Sequence, residues 1–343
     1  MVIMKLSRNT IILAALVAIG LSSCDKVSPI GVLVSGTAVE DRVKMSNLYY
    51  QKYLEEDKAA LVEDEYTFLI GADSHVTTDP GRMDEMFALG LEADDLLYAH
   101  LGDIADTKPQ YYITLDSLIS EARGRYIEKH YDVKENGNYY PIGSDPNDPD
   151  NEITPDDLIF PFFPVVGNHD ITHNGWAMWS NIFHSSFYEF DVLVNINGKY
   201  EVDHFIFLDT ASGTLGKTQV DLIEEGVLDG DEDEEGYHYR HTFVFGHTNF
   251  FRPSSMQFAS TFAREEQFFL LNQFKKWNAS IVFCGHVHAW DEREFEGVTY
   301  LTLDSMSEDN NPNPGDYLVR VHVKKDGTLS WEKVHMNYTR KKK

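Results

Sequence analysis

Seven short apolar runs, each breaking off at a cluster of polar groups, constrain the fold of this chain more than any other feature. They are "YTFLIGADSH" (66–75), "DLLYAHLGDIAD" (95–106), "PFFPVVGNHD" (161–170), "HFIFLDTAS" (204–212), "HTFVFGHTN" (241–249), "SIVFCGHVHAW" (280–290) and "VTYLTLDSMS" (298–307). Runs this short and this rich in Val, Ile, Phe and Tyr fit strands buried on both faces. Helical spacing lies between them, as in "REEQFFLLNQFKKW" (264–277), where apolar residues recur at three and four. Strands alternating with helices predict a layered α/β domain, whose active site is built by loops at strand C-terminal ends. With 343 residues, 42% of them hydrophobic and 13% aromatic, the chain has ample material for such a core.

The polar clusters share one chemistry. Asp73 and His75 flank Ser74, Asp103 follows Gly102, and Asn168, His169 and Asp170 follow Gly167. His247 follows Gly246, and His286 and His288 flank Val287 just after Gly285. Glycine at or before these turns permits sharp bends and close approach of large groups. Imidazoles, carboxylates and one amide, without a thiolate, suit Mn, Fe, Zn or Co rather than a zinc finger or an iron–sulfur centre. The set exceeds what one ion takes from a protein, so two metal ions are expected, which a carboxylate such as Asp103 could bridge.

In order and type, "DSH", "GDIAD", "GNHD", "GH" and "GHVH" resemble the calcineurin-like metallophosphoesterase superfamily, over residues 66 to about 305. The resemblance implies a four-layer α/β/β/α sandwich of two mixed sheets carrying a dinuclear metal centre. It implies one ion on Asp73, His75, Asp103 and His288, and a second on Asp103, Asn168, His247 and His286. His169 then matches a catalytic histidine that protonates the leaving oxygen or stabilises its charge, and Asp170 matches the acid that orients it. Two divalent ions against two carboxylates and a bridging hydroxide leave about +1, an electrophilic island in an acidic protein. The implied activity is metal-dependent hydrolysis of phosphate mono- or diesters, with Mn, Fe or Zn as the metals. Purple acid phosphatases carry a tyrosine where this chain has Asp106, although "GHVHAWDER" is similar to that branch. Asp106 is left open between a turn cap and a site role. The alternative reading, a metal-binding adaptor without catalysis on the same fold, typically goes with loss of a ligand or of the catalytic histidine, and all are present here.

The first residues read as a targeting segment. Lys5 and Arg8 precede the apolar run "IILAALVAIGL", too short to span a bilayer, and "LSSC" resembles a bacterial lipobox. The resemblance implies a signal peptide over 1–23, lipidation at Cys24, and a membrane-anchored protein of the cell envelope. Residues 24–60 are expected to form a stalk ending in a helix near "SNLYYQKYLEEDKAALVED", and 61–338 the metallophosphoesterase domain. Acidic insertions are expected near 107–158 and 212–240, and a basic tail over 339–343. The net charge of -27 argues against a nucleic-acid backbone or an anionic membrane surface as main partner, and the metallophosphoesterase resemblance implies a phosphorylated small molecule or envelope component as substrate. Of the two cysteines, Cys284 closes an apolar strand and reads as a buried thiol.

Several motifs resemble sites they do not complete. "GTLGKT" (213–218) lacks the glycine a P-loop needs at position 211, and the family resemblance implies a helix from Gln219 instead. "DGDEDEEGYHYR" (229–240) starts like a calcium loop, but Glu234 replaces its turn glycine and Arg240 its closing glutamate. Trp176, Trp179 and Phe183 form a helical stripe, read as core packing ahead of a substrate wall. Arg252 could reach a phosphate, and histidines outside the motifs are read as structural.

Overall fold

The computed structural model describes residues 37–54, 60–106, 108–155, 158–229, 238–251, 262–307 and 317–338, without the side chains of 47–63. The expected signal peptide, Cys24, Arg252, the middle of the 229–240 loop and the basic tail lie outside the described residues.

Two mixed sheets form the centre. The larger contains β1 (Ala60–Glu63), β7 (Tyr188–Ile196), β8 (Lys199–Phe207), β9 (His238–Phe245), β10 (Ile281–Cys284), β11 (Asp291–Phe295) and β12 (Val298–Thr302), in the order β1-β7-β8-β9-β10-β12-β11. The smaller contains β2 (Tyr66–Gly71), β3 (Leu97–His100), β6 (Phe162–Pro164), β13 (Tyr317–Val323) and β14 (Leu329–His335), in the order β14-β13-β2-β3-β6. β2, β3 and β6 run parallel, as do β8, β9, β10 and β12. Parallel strands point their C-terminal ends the same way, so the loops that follow them gather at one edge of the sheets. A separate hairpin joins β4 (Tyr131–Val133) to β5 (Tyr139–Pro141).

The sheets pack through phenylalanine. Phe68 of β2 meets Phe243 and Phe205 at ring distances of 5.1 and 5.4 Å, and Phe283 and Phe245 at 6.2 and 6.3 Å, all edge-on. Such pairs add about 0.5–1.5 kcal/mol each beyond the area they bury. On the outer side of the smaller sheet lie α2 (Gly81–Ala93), α3 (Pro109–His130) and α4 (Gly175–Phe183), whose Met83, Phe87, Leu115 and Trp179 pack with Leu69 and Tyr98. α1 (Val39–Leu54) packs on β7 and on α5 (Gly216–Glu224). α6 (Arg264–Lys276) packs through Phe274 against Tyr300 of β12. Helices on the outer faces of two stacked sheets make the four-layer α/β sandwich that the resemblance implied.

All seven apolar runs lie on strands, and α6 falls where its periodicity predicts. The Trp176 and Trp179 stripe is core, with both residues buried. Cys284 is a free, buried thiol whose pKa burial pushes up. Three expectations are corrected. The stalk gives way to α1 at Val39, where Val39, Arg42, Val43 and Ser46 are buried in the domain. The 107–158 insertion shrinks to its second part, because α3 inserts Tyr112, Leu115, Leu118 and Ala122 into the core. The α5 helix starts three residues before Gln219. Among the described residues, no helix is long and apolar enough to cross a membrane.

Candidate metal centre

Five strand ends deliver the polar residues to one place. Asp73 and His75 follow β2, Asp103 follows β3, Asn168 and His169 follow β6, His247 follows β9, and His286 and His288 follow β10. The loops can approach because two glycines leave room. A Cβ on Gly167 would sit 2.1 Å from the Asp103 amide nitrogen, and one on Gly285 would sit 2.6 Å from Asp73 Oδ2.

The backbone at the ligands is strained. Asp73, His75, Asp103, His286 and His288 all have positive φ, between 44° and 70°. That region is uncommon for residues with a Cβ, though Asp and His enter it more readily than most. Five such residues in one cluster mark a site whose surroundings hold it against local preference.

Among the described residues three groups of donor atoms could each share an ion, one of them His75, Asp106 and His169, and the other two adjoin at Asp103. In the first of these two, His75 Nε2 lies 3.4 Å from His288 Nε2 and 3.9 Å from Asp103 Oδ2, and His288 Nε2 lies 3.4 Å from Asp73 Oδ1. In the second, His247 Nε2 lies 2.9 Å from Asn168 Oδ1, 3.1 Å from His286 Nδ1 and 3.4 Å from Asp103 Oδ2. Asp103 belongs to both. Asp73, His75 and His288 can share one ion, as can Asp103, His247 and His286.

Donor chemistry provides the test of fit. His247 Nδ1 faces the Leu101 carbonyl at 2.7 Å, which fixes the proton there in the neutral ring. In that neutral form its Nε2 lone pair would meet the Asn168 amide oxygen and the Asp103 carboxylate with no hydrogen between them. A cation at that point turns the repulsion into coordination, so the residues fit a metal ion.

Electrostatics point the same way. Burial pushes Asp103 up, but the charges of His247 and His169 outweigh it and hold the carboxyl well below the usual range. Asp73 is lowered too, its burial overridden by the hydrogen bond and charge of His288. Burial pulls His247 down, yet the Asp103 carboxylate raises it to about 9. Protons here stand in for bound cations, because metal binding requires the imidazoles to be neutral.

His169 sits beside this cluster, its ring 4.7 Å from that of His75. Its backbone N–H donates to Asp103 Oδ1 at 2.7 Å, tying the two loops together. Burial lowers its pKa, and Asp103 and Asp106 only partly restore it. The resemblance gives Asp170 the task of orienting His169, whereas its hydrogen bonds in the structure run to neighbouring backbone amides and a tyrosine. The Asp170 carboxylate accepts hydrogen bonds from the backbone N–H groups of Gly167 at 2.8 Å, Ile104 at 3.1 Å and Ala105 at 3.3 Å, and from the Tyr112 hydroxyl at 3.3 Å. It is fully buried, and burial together with the Asp103 charge raises its pKa to about 7. Asp170 therefore fastens the 103–105 turn to the 167 turn from beneath. Asp106 is the acid that faces the histidines, with Oδ1 3.4 Å from His75 Nδ1 and 3.9 Å from His169 Nδ1. Its spacing from Asp103 was the available signal, and the turn places both carboxylates at the site.

The supports of the ligands escape sequence reading. Ser305 Oγ donates to the Asp73 carbonyl at 2.8 Å, and the His286 N–H donates to Asp73 Oδ2 at 2.9 Å. Nothing in the local sequence around Ser305 or Leu101 signals these contacts.

No protein-family model matches the chain, and no curated protein does. Solved structures give distant likenesses. GAP50, described as the anchor in the inner membrane complex of Plasmodium, is 12% identical with a TM-score of 0.48, covering 81% of this chain and 90% of its own. A dimetal phosphatase from Danio rerio is 10% identical with a TM-score of 0.41, covering 79% and 99%. An archaeal phosphodiesterase is 10% identical with a TM-score of 0.34, covering 78% and 99%. The site is therefore read from its own geometry, and that geometry is similar in residue order, residue type and convergence to what the metallophosphoesterase resemblance implied.

Proposed function

We propose that the chain is a two-metal hydrolase of phosphate esters. The observation that carries this reading is the convergence of Asp73, His75, Asp103, Asn168, His247, His286 and His288 on two adjoining points, with Asp103 shared. Asp73, His75, Asp103 and His288 would hold one ion, and Asp103, Asn168, His247 and His286 the other. When bound, such a pair supplies an activated water and positive charge for the phosphoryl oxygens.

The remaining work falls to the chain's own residues. Asp103 brings the two ligand groups together and receives the His169 amide, so the histidine stands at a fixed place relative to both. With Nδ1 of His169 toward Asp106, Nε2 is the ring atom left to meet the leaving oxygen, by hydrogen bond or proton transfer. Asp170, from beneath, keeps the turns carrying Asp103 and Asn168 in register.

Hydrolysis of p-nitrophenyl phosphate and its bis-ester, with Mn²⁺ added and after chelation, tests the proposal. Turnover that chelation abolishes and Mn²⁺ restores supports it. Two bound ions with no turnover of either ester would favour the adaptor instead.

We also propose that Cys24 carries a lipid anchor in the cell envelope, supported by the order of basic, apolar and lipobox segments. Fully extended, the chain from Cys24 to the start of α1 at Val39 reaches at most about 50 Å. The active site would then work close to the membrane surface. Metabolic labelling with a palmitate analogue tests this, and loss of label in Cys24→Ser is the expected result.

A further inference from the structure

Arg42 stands on α1, ahead of every strand, and its side chain is fully buried. Its guanidinium grips Asp209, 167 positions away, through a fork of two hydrogen bonds. Nε donates to Oδ2 and Nη2 to Oδ1, both at 2.8 Å. Nη2 also reaches Ser212 Oγ at 3.1 Å, and Nη1 donates to the Thr37 carbonyl. Gln219 holds the backbone of the same aspartate. Its Oε1 accepts from the Asp209 N–H and its Nε2 donates to the Asp209 carbonyl, both at 3.0 Å.

Thr210 follows Asp209 directly and touches the metal-ligand loop. Its Oγ1 accepts from the backbone N–H of His247 at 2.8 Å and of Thr248 at 3.1 Å. Thr248 Oγ1 donates back to the Thr210 carbonyl at 2.6 Å. Arg42, Asp209, Thr210, Gln219, His247 and Thr248 are all at 0% exposure, so the bonds among these six are shielded from water.

We infer that Arg42 is a positioning residue for His247, acting through Asp209 and Thr210, an inference that rests on the metal-centre reading above. A forked guanidinium fixes both the place and the plane of a carboxylate, which an ammonium does not. With Asp209 held by Arg42 and Gln219, Thr210 has one position, and the His247 amide is registered against it. His247 Nδ1 is set separately by the Leu101 carbonyl. The first helix of the domain is thus part of the scaffold of the metal centre.

The single change Arg42→Met strands the Asp209 charge in the interior and risks unfolding. The test therefore uses full-length Arg42→Met/Asp209→Leu, which replaces the pair by apolar groups, and Arg42→Lys, which keeps charge and loses the fork. Amide hydrogen exchange is followed in metal-free protein, and Mn²⁺ binding by calorimetry. The expected result for the double variant is exchange at His247 and Thr248 faster by at least tenfold, with the Asp73–Val76 amides unchanged. One of its two Mn²⁺ affinities should fall at least tenfold, and Arg42→Lys should lie between wild type and the double variant. Wild-type exchange at His247 and Thr248 in both folded variants would overturn the inference and leave the pair a fastener of α1 alone. Wild-type protein that takes up no Mn²⁺ would overturn the metal-centre reading and with it the positioning role, whatever the exchange shows.

Discussion

Asp170 Oδ1 accepts a hydrogen bond from the Ile104 amide at 3.1 Å, so this carboxylate lies under the turn that carries Asp103. The relationship separates two roles that adjacency in "GNHD" merges. An acid that tunes His169 would affect rate alone, whereas an acid that pins two turns affects the metal ligands themselves.

Asp170→Ala is accordingly expected to lose metal as well as activity. It leaves the Gly167, Ile104 and Ala105 amides without their acceptor, at roughly 1–3 kcal/mol for each group left unsatisfied. Elemental analysis of the purified variant decides the matter. Two ions retained with activity lost would return Asp170 to a role beside His169.

His169→Ala is expected to behave in the opposite way. Both ions stay, and kcat falls about 10²-fold or more, the range for a removed general acid. Normal turnover of an activated and an unactivated ester alike would remove His169 from the mechanism.

Gly167→Ala should disrupt the site without touching a ligand. The new methyl would meet the Asp103 amide nitrogen at 2.1 Å, a backbone atom that cannot rotate away. Relief requires the 103 or the 167 turn to move, at about 1–3 kcal/mol of stability and with weaker metal binding. Thermal melts with and without Mn²⁺ read both effects. A variant with wild-type metal-induced stabilisation contradicts the close packing described here.

A second buried cluster predicts a pH dependence away from the metals. His204 on β8 faces Asp191 Oδ1 at 2.6 Å and Glu189 Oε2 at 2.8 Å, both on β7, and the Tyr239 hydroxyl reaches Asp191 Oδ2 at 3.3 Å. Burial pulls its pKa down, but the bonds to Asp191 and Glu189 prevail and raise it to about 9. A histidine raised above its unfolded value of about 6.5 contributes stability in full below that pH, and loses it as pH climbs through 9. Between pH 6 and pH 9.5 the wild type should lose up to about 3 kcal/mol more than His204→Gln. Urea melts at those two values measure the difference, and parallel losses in the two proteins would refute the assignment.

The metal ligands were legible because each lies within four residues of a glycine at the end of an apolar run, a pattern set by local chemistry. The partners of Asp170 were not legible, because neighbours in a turn point in different directions and only the assembled loops bring its carboxylate to the Gly167 and Ile104 amides. Arg42 and Asp209 were invisible for a related reason. A lone arginine on a weakly patterned helix reads as surface, and its partner lies 167 positions away. β13 did carry a signal, since "YLVRVHV" alternates and its Leu318, Val319, Val321 and Val323 are buried. β1, β11 and β14 are a harder case. They sit at sheet edges, and in β11 and β14 most residues face solvent, which blurs the alternation that marks a strand.

The most direct measurement is a calorimetric titration of Mn²⁺ into metal-free protein, run beside Asp103→Asn. Asp103 alone contributes to both groups of donors. Two ions per chain in the wild type, and both bound more weakly in the variant, is the result expected. Fewer than two in the wild type, or an unchanged pair in Asp103→Asn, would contradict a shared dinuclear centre.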